Sequence, residues 1–187
     1  MAKYVATTPT QVTPAISAFC GGEPVYLEIR PDKDAALGRC YDNAASAAEC
    51  LGGKVVHGWL VWELPGVYLT AEHHAVVEVD GELVDLSPTL AGERRVLFYP
   101  DQTPFPPPRA NRYYPLTTDA RIIRSLQLQQ ANSGLELAGK AFGPAYMRND
   151  DEATRLLDAY LSSLEVRRVR DRLRAAKKAV RKRRKRR

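Results

Sequence analysis

The sequence predicts an α+β fold: an N-terminal helix, the first of the chain, that carries a cysteine and packs on an antiparallel sheet, with a basic helix at the C-terminal end. Three observations predict it. One alanine-rich stretch, residues 40–51, closes on Gly52-Gly53. Short β-branched or aromatic segments follow, broken by Pro65-Gly66, Asp80-Gly81 and Gly92. Beyond Asn149 the chain is apolar at helical spacing and then strongly cationic. No glycine-rich phosphate fingerprint follows a strand, which disfavours the nucleotide-binding α/β folds.

Taken in order, residues 1–24 contain threonine and proline without clear periodicity and read as an N-terminal extension. Val25-Tyr26-Leu27-Glu28-Ile29 alternates and reads as a short strand. Residues 40–51 read as a helix, because alanine favours it and the glycine pair stops it. Residues 55–62, 67–70, 74–79, 83–86 and 96–99 read as antiparallel strands. The six prolines of residues 100–115 make a stiff surface connection. Residues 117–131 are a candidate helix, and 132–148 are ambiguous. Asn149 with Glu152 three positions on resembles a capping box that opens a last helix. On it, Leu157, Tyr160, Leu161 and Leu164 form a stripe that should dock on the body, continued thinly by Val169, Leu173, Ala176 and Val180. This divides the chain into an extension (1–24), one α+β domain (25–166) and a basic, helical or disordered tail (167–187).

With 187 residues and 44% hydrophobic content, the chain has enough material for one cored domain. No apolar run approaches the roughly 18 residues of a membrane span, and no secretory signal is expected at the start. Three cysteines, Cys20, Cys40 and Cys50, are an odd number without framework spacing, which fits a reducing, cytoplasmic compartment. The net charge of +6 hides an asymmetry. Residues 167–187 hold 14 Lys/Arg against one acid, Asp171, for a net of +13, while 14 bases and 21 acids leave the rest at −7. Such a tail points to nucleic acid, RNA or DNA, or the ribosome, with Arg181, Lys182, Arg183, Arg184, Lys185, Arg186 and Arg187 as its densest part. It has no aromatic residue, so base stacking and sequence readout are not expected.

The chemistry concentrates in Gly38-Arg39-Cys40-Tyr41-Asp42-Asn43 and in residues 73–85. Cys40 stands where the helix begins, where unpaired N–H groups favour a thiolate. Cys50 stands at the disfavoured end and Cys20 in an unplaced segment, so Cys40 is the best-placed nucleophile. Asp80-Gly81 signals a two-residue hairpin turn. Val79 then pairs with Glu82, and paired positions sum to 161. In that register His74 and Asp85 share a face as diagonal neighbours, while His73 points the other way with Val77, Val79 and Val84. Asp85 can hold the His74 imidazole toward a thiol, or cap the turn toward Pro88; both readings stand at this point. Arg39, Asn43, Trp59 and Trp62 are candidate site-lining residues. Cys40, His57, His73 and His74 show no metal-ligand spacing, so neither metal nor cofactor is expected.

The order Cys40, then His74-Ala75-Val76-Val77-Glu78-Val79 on one strand, then Val84-Asp85 on the next, resembles the transglutaminase-like branch of papain-like cysteine enzymes. Residues 38–43 also resemble the nucleophile motif of arylamine N-acetyltransferases, of the same superfamily. The resemblance covers roughly residues 38–100. It implies Cys40 as nucleophile, His74 as general base and acid, and Asp85 as the orienting carboxylate. The stretch is similar, more loosely, to uncharacterised bacterial proteins that join such a core to a zinc-chelating SEC-C tail; the expected location is the cytoplasm of a bacterial or phage-infected cell. No cysteine follows Cys50 to supply the zinc tail.

The expected function is cysteine-dependent acyl transfer, an amide or thioester hydrolase (peptidase, amidase or deamidase) with a protein or peptide substrate, tethered to nucleic acid by its tail. The alternative is a non-catalytic nucleic-acid-binding protein on the same scaffold. An acyltransferase using acetyl-coenzyme A ranks last, since no phosphate-binding loop is legible.

Overall fold

The structure, a computed structural model, describes residues 6–90, 92–101 and 108–184, with the backbone alone at residue 173 and residues 176–184. The elements run α1 (Pro14–Cys20), β1 (Val25–Glu28), α2 (Cys40–Leu51), β2 (Lys54–Leu64), β3 (Tyr68–Val79), β4 (Glu82–Val84), β5 (Arg95–Pro100), β6 (Arg112–Pro115), α3 (Ala120–Leu137) and α4 (Pro144–Arg184). This is the α+β, antiparallel arrangement that the alternation of short strands predicts.

Six strands form one antiparallel sheet in the order β1-β5-β2-β3-β4, with β6 pairing the other half of β3. Its two edges nearly meet. Ile29, just past β1, bridges Asp85, just past β4, and Arg30 N and Asp32 N donate to the carbonyls of Asp85 and Leu86. Asp80 and Gly81 both have positive φ, 51° and 83°, the two-residue turn whose twist matches its strands. The β3–β4 pairs Val77↔Val84, Glu78↔Leu83 and Val79↔Glu82 all sum to 161, as the turn requires.

Odd and even residues of β2 and β3 divide the core between two faces. On one, Trp59, Val61, Leu69, Ala71 and Leu97 pack against Ile16, Phe19 and Cys20 of α1. On the other, Leu60, Val76, Val96 and Phe98 pack with Leu27 and Ile29, and Leu64 and Tyr68 pack with α3 and α4. Fully burying a side chain such as Leu69 or Leu97 stabilises the fold by roughly 2–3 kcal/mol. Tyr160 and Leu161 are buried, with Leu157 and Leu164 partly so, and the apolar stripe of α4 docks as its spacing predicts. From Glu165 to Arg172 every residue is exposed, so α4 leaves the body there. Its 41 residues extend about 60 Å at 1.5 Å per residue.

Four expectations change. The cysteine helix is α2, not the first, because Thr13 caps an earlier helix opened by Pro14 at its first turn. Over its described residues the expected extension, 1–24, belongs to the body: Thr7 pairs with Glu63, and Ile16 is fully buried. The strands expected at 67–70 and 74–79 are one, because Ala71, Glu72 and His73 stay paired to β2 across the supposed break. Asn149 does not open α4, which starts at Pro144; its Nδ2 donates instead to Asn132 Oδ1 across to α3.

Of the proline-rich connection, residues 102–107 lie outside the described residues, and so do residues 185–187 of the tail. Backbone 181–184 is helical. Among the described residues, no helix is long and apolar enough to cross a membrane.

Candidate active site

The ladder of β3 has a gap. Residues 68–71 pair with β6 and 77–79 with β4, which leaves 72–76 without a strand on that side. The start of α2 fills it: Tyr41 Oη lies 3.2 Å from the His73 carbonyl and 2.7 Å from His73 Nδ1. Cys40, the first residue of α2, is thereby set against the same stretch of β3. Arg39 occupies the N-cap without a side-chain cap, so the first N–H groups of α2 keep their positive end for what faces Cys40.

His74 and Asp85 meet as a buried pair, with Nε2 2.9 Å from Oδ2. Asp85 is fully buried and His74 only 6% exposed. The two carboxylate oxygens divide the roles that the sequence leaves open. Oδ2 holds the imidazole, and Oδ1 accepts the Ser87 N–H at 2.9 Å, closing the turn before Pro88. Clamping of the Asp85 carbonyl by Arg30 N fixes the strand end from the other side.

Cys40 is close enough to the same imidazole to act on its protonation. With Nε2 given to Asp85, Nδ1 is the ring nitrogen left for the thiol. Burial acts to lower the pKa of His74. Asp85, hydrogen-bonded to the ring, and nearby Cys40, with the charge of each, outweigh it and raise the group to about 10. Cys40 is half-buried, within reach of a reagent or substrate.

Asn43, one turn along α2, ties this site to the loop before the helix. Its Oδ1 accepts from Ala36 N, and its Nδ2 donates to Ala36 O and to Ser87 Oγ. It therefore acts on Asp85 at one remove, through Ser87. Arg39 points to solvent and pairs with Asp42 at 2.6 Å.

Trp62 and Trp59 separate. Trp62 lies on the face of His74, where its Nε1 donates to Glu72 Oε2 at 3.3 Å. Trp59 is buried on the opposite face from His74, edge-on to His73 with ring centroids 4.7 Å apart. His57 stacks on His73 there, and Asp101 lies 3.9 Å from His73 Nε2 while bound to Arg109. Burial and Arg109 outweigh Asp101, and push His73 down to about 4. Asp101 faces the Nε2 position, which favours the tautomer with Nε2–H; His73 Nδ1 then accepts the Tyr41 proton.

The sequence reading missed the Tyr41–His73 contact and Asp101, which sits in the proline-rich connection. Only strand alternation hinted at them, by sending His73 to the face of Trp59. Among the described residues, no group of three His, Cys, Asp or Glu could hold a metal ion. A cavity of about 470 Å³ lies between α2 and the loop of residues 32–36, lined by Asp32, Ala36, Arg39, Asn43 and Cys50, and its lining does not include Cys40 or His74.

No protein-family model matches the chain, and neither a curated protein nor a solved structure matches it.

Proposed function

We propose that the protein is a cysteine-dependent acyl-transfer enzyme on a papain-like, transglutaminase-like core, with Cys40 as nucleophile, His74 as base and acid, and Asp85 as the orienting carboxylate. The observation that carries this reading is a buried imidazole held by Asp85 at 2.9 Å on the strand against which the helix beginning at Cys40 packs. Two of the groups that raise His74 are a thiol and a carboxylate, so a proton leaving Cys40 has a prepared seat.

The thiolate attacks a substrate carbonyl, and the N–H groups at the start of α2 face the developing oxyanion. His74 then protonates the leaving amine or thiol, giving a thioester on Cys40. Acylation removes the thiolate charge that helped to raise His74, so the imidazole becomes a better acid and, once deprotonated, the base for water. The reading is of amide or thioester hydrolysis, with water as the acyl acceptor. The cationic end of α4 tethers the enzyme to RNA, DNA or the ribosome through phosphates without reading sequence.

The test is to trap the acyl-enzyme. Activated esters and thioesters should add one acyl group to Cys40, seen by mass spectrometry, with slow turnover in Asp85→Asn. Acylation spread equally over Cys50, or unaffected by Cys40→Ser, defeats the proposal.

A further inference from the structure

We propose that the uncovered part of the sheet beside His74 is a cation subsite, made by the Glu72 carboxylate and the Trp62 indole, which selects an acyl donor carrying a lysine- or arginine-like group near its reactive carbonyl. This rests on the acyl-transfer reading of Cys40 and His74 and names its substrate class.

Alternation puts Trp62, Thr70, Glu72 and His74 on one face of β2 and β3. Helices cover that face at both ends. α2 lies over the His74 end, and α3 with α4 packs on Leu64, Tyr68 and Tyr113 at the other. Between them Glu72 is exposed, and Trp62 and Thr70 are half-buried. A substrate lying over this stretch has its reactive carbonyl at Cys40 and its next group over Glu72.

Glu72 is the neighbour of His74 on that face, about 7 Å along the strand. The Trp62 hydrogen bond fixes its carboxylate through the edge of the indole, which leaves the ring face unconsumed by that bond. Among the described residues, no lysine or arginine pairs with Glu72. A carboxylate beside an aromatic face is the combination that attracts ammonium and guanidinium groups. Tyr41 supports the proximity: after burial, the charges of Cys40 and Glu72 both push its hydroxyl pKa up.

The test uses a pair of thiol reagents, so that it reads out whether or not the enzyme turns over. The cationic 2-(trimethylammonium)ethyl and the anionic 2-sulfonatoethyl methanethiosulfonates each react by attack of the thiolate on the sulfenyl sulfur. A disulfide forms and methanesulfinate leaves with the bonding pair. Labelling of Cys40 is followed by peptide mass spectrometry, with N-acetylcysteine as reference. The cation-to-anion rate ratio should exceed the reference roughly five- to tenfold. In Glu72→Gln it should fall to within twofold of the reference, and Trp62→Leu should lower it partly. An unchanged ratio in Glu72→Gln overturns the subsite. His74→Ala should slow both reagents and keep the ratio; rates indifferent to His74 with the ratio retained would defeat the triad instead. Peptidyl electrophiles carrying lysine or norleucine beside the reactive group place the cation. Faster labelling by the lysine probe supports the donor side, and equal labelling overturns that assignment.

Discussion

Tyr41 Oη lies 2.7 Å from His73 Nδ1, so the histidine that does not face the thiol fastens the helix that carries it. The two adjacent histidines of β3 thus serve one site from opposite faces of a strand. His74 faces Cys40 and Asp85, and His73 receives Tyr41 across the gap in the ladder. The helix start is positioned by its own second residue.

Tyr41→Phe removes this partly buried bond while keeping the ring. The loss should cost about 1–2 kcal/mol in urea unfolding, because the His73 ring nitrogen and carbonyl lose a partner. Alkylation of Cys40 should also slow several-fold as the start of α2 loosens, while Cys50, at the far end of the helix, should react as before.

The histidine pair also predicts the shape of stability against pH. His74 is raised to about 10, so its contribution is fully present below the unfolded value near 6.5 and is lost as pH rises toward 10. His73 is lowered to about 4, so its contribution is present above 6.5 and lost as pH falls toward 4. Together they place a maximum near pH 6–7. Urea midpoints measured from pH 4.5 to 9 should show both limbs. His73→Gln should flatten the acid limb, and His74→Gln the limb between 6.5 and 9. Unaltered limbs in both variants would contradict the assignment.

Gly58 lies directly opposite His74 in the ladder, and a Cβ there would overlap the Phe98 ring and the Tyr99 carbonyl. Gly58→Ala should destabilise the protein by roughly 1–3 kcal/mol, because backbone must move and a fully buried ring must shift. The same displacement should lower Cys40 reactivity, since β2 backs the imidazole. Thermal unfolding and thiol labelling on one sample check both.

Asp80-Gly81 made the His74–Asp85 side of the site legible: a turn needing two positive φ values fixes the register, and the register selects the face. The limits of α2 were legible for a similar reason, alanines stopped by glycines. Thr13-Pro14 and Pro144 carry start signals for α1 and α4 as well, whereas the capping-box pattern of Asn149 and Glu152 points to a start that the fold does not use. There, the asparagine amide is used sideways, toward Asn132. What no local pattern could show is the gap in β3, since it exists only where β4 ends and β6 begins. Asp101 reaches His73 across the sheet for the same reason, its N–H held by the His57 carbonyl.

The tail separates from the chemistry. Because α4 leaves the body after Leu164, ending the chain at residue 166 keeps Tyr160 and Leu161 docked. Such a protein should unfold like the full chain and label at Cys40 at the same rate, yet lose retention on heparin or RNA. For the full chain, log affinity for RNA should fall linearly with log salt, by about 0.7 for each phosphate neutralised on a single strand. A shallow salt dependence, or retention without residues 167–187, would contradict the proposed tether.

The most direct measurement is the rate of Cys40 alkylation by iodoacetamide from pH 5.5 to 9, in the full chain and in His74→Ala, read by peptide mass spectrometry. An imidazole held by Asp85 beside the thiol predicts alkylation at neutral pH at least roughly tenfold faster in the full chain than in His74→Ala. Asp85→Asn should fall between them, because an amide facing Nε2 moves the ring proton to Nδ1, toward the thiol. Superimposable curves for the full chain and His74→Ala would contradict a catalytic cysteine at the start of α2.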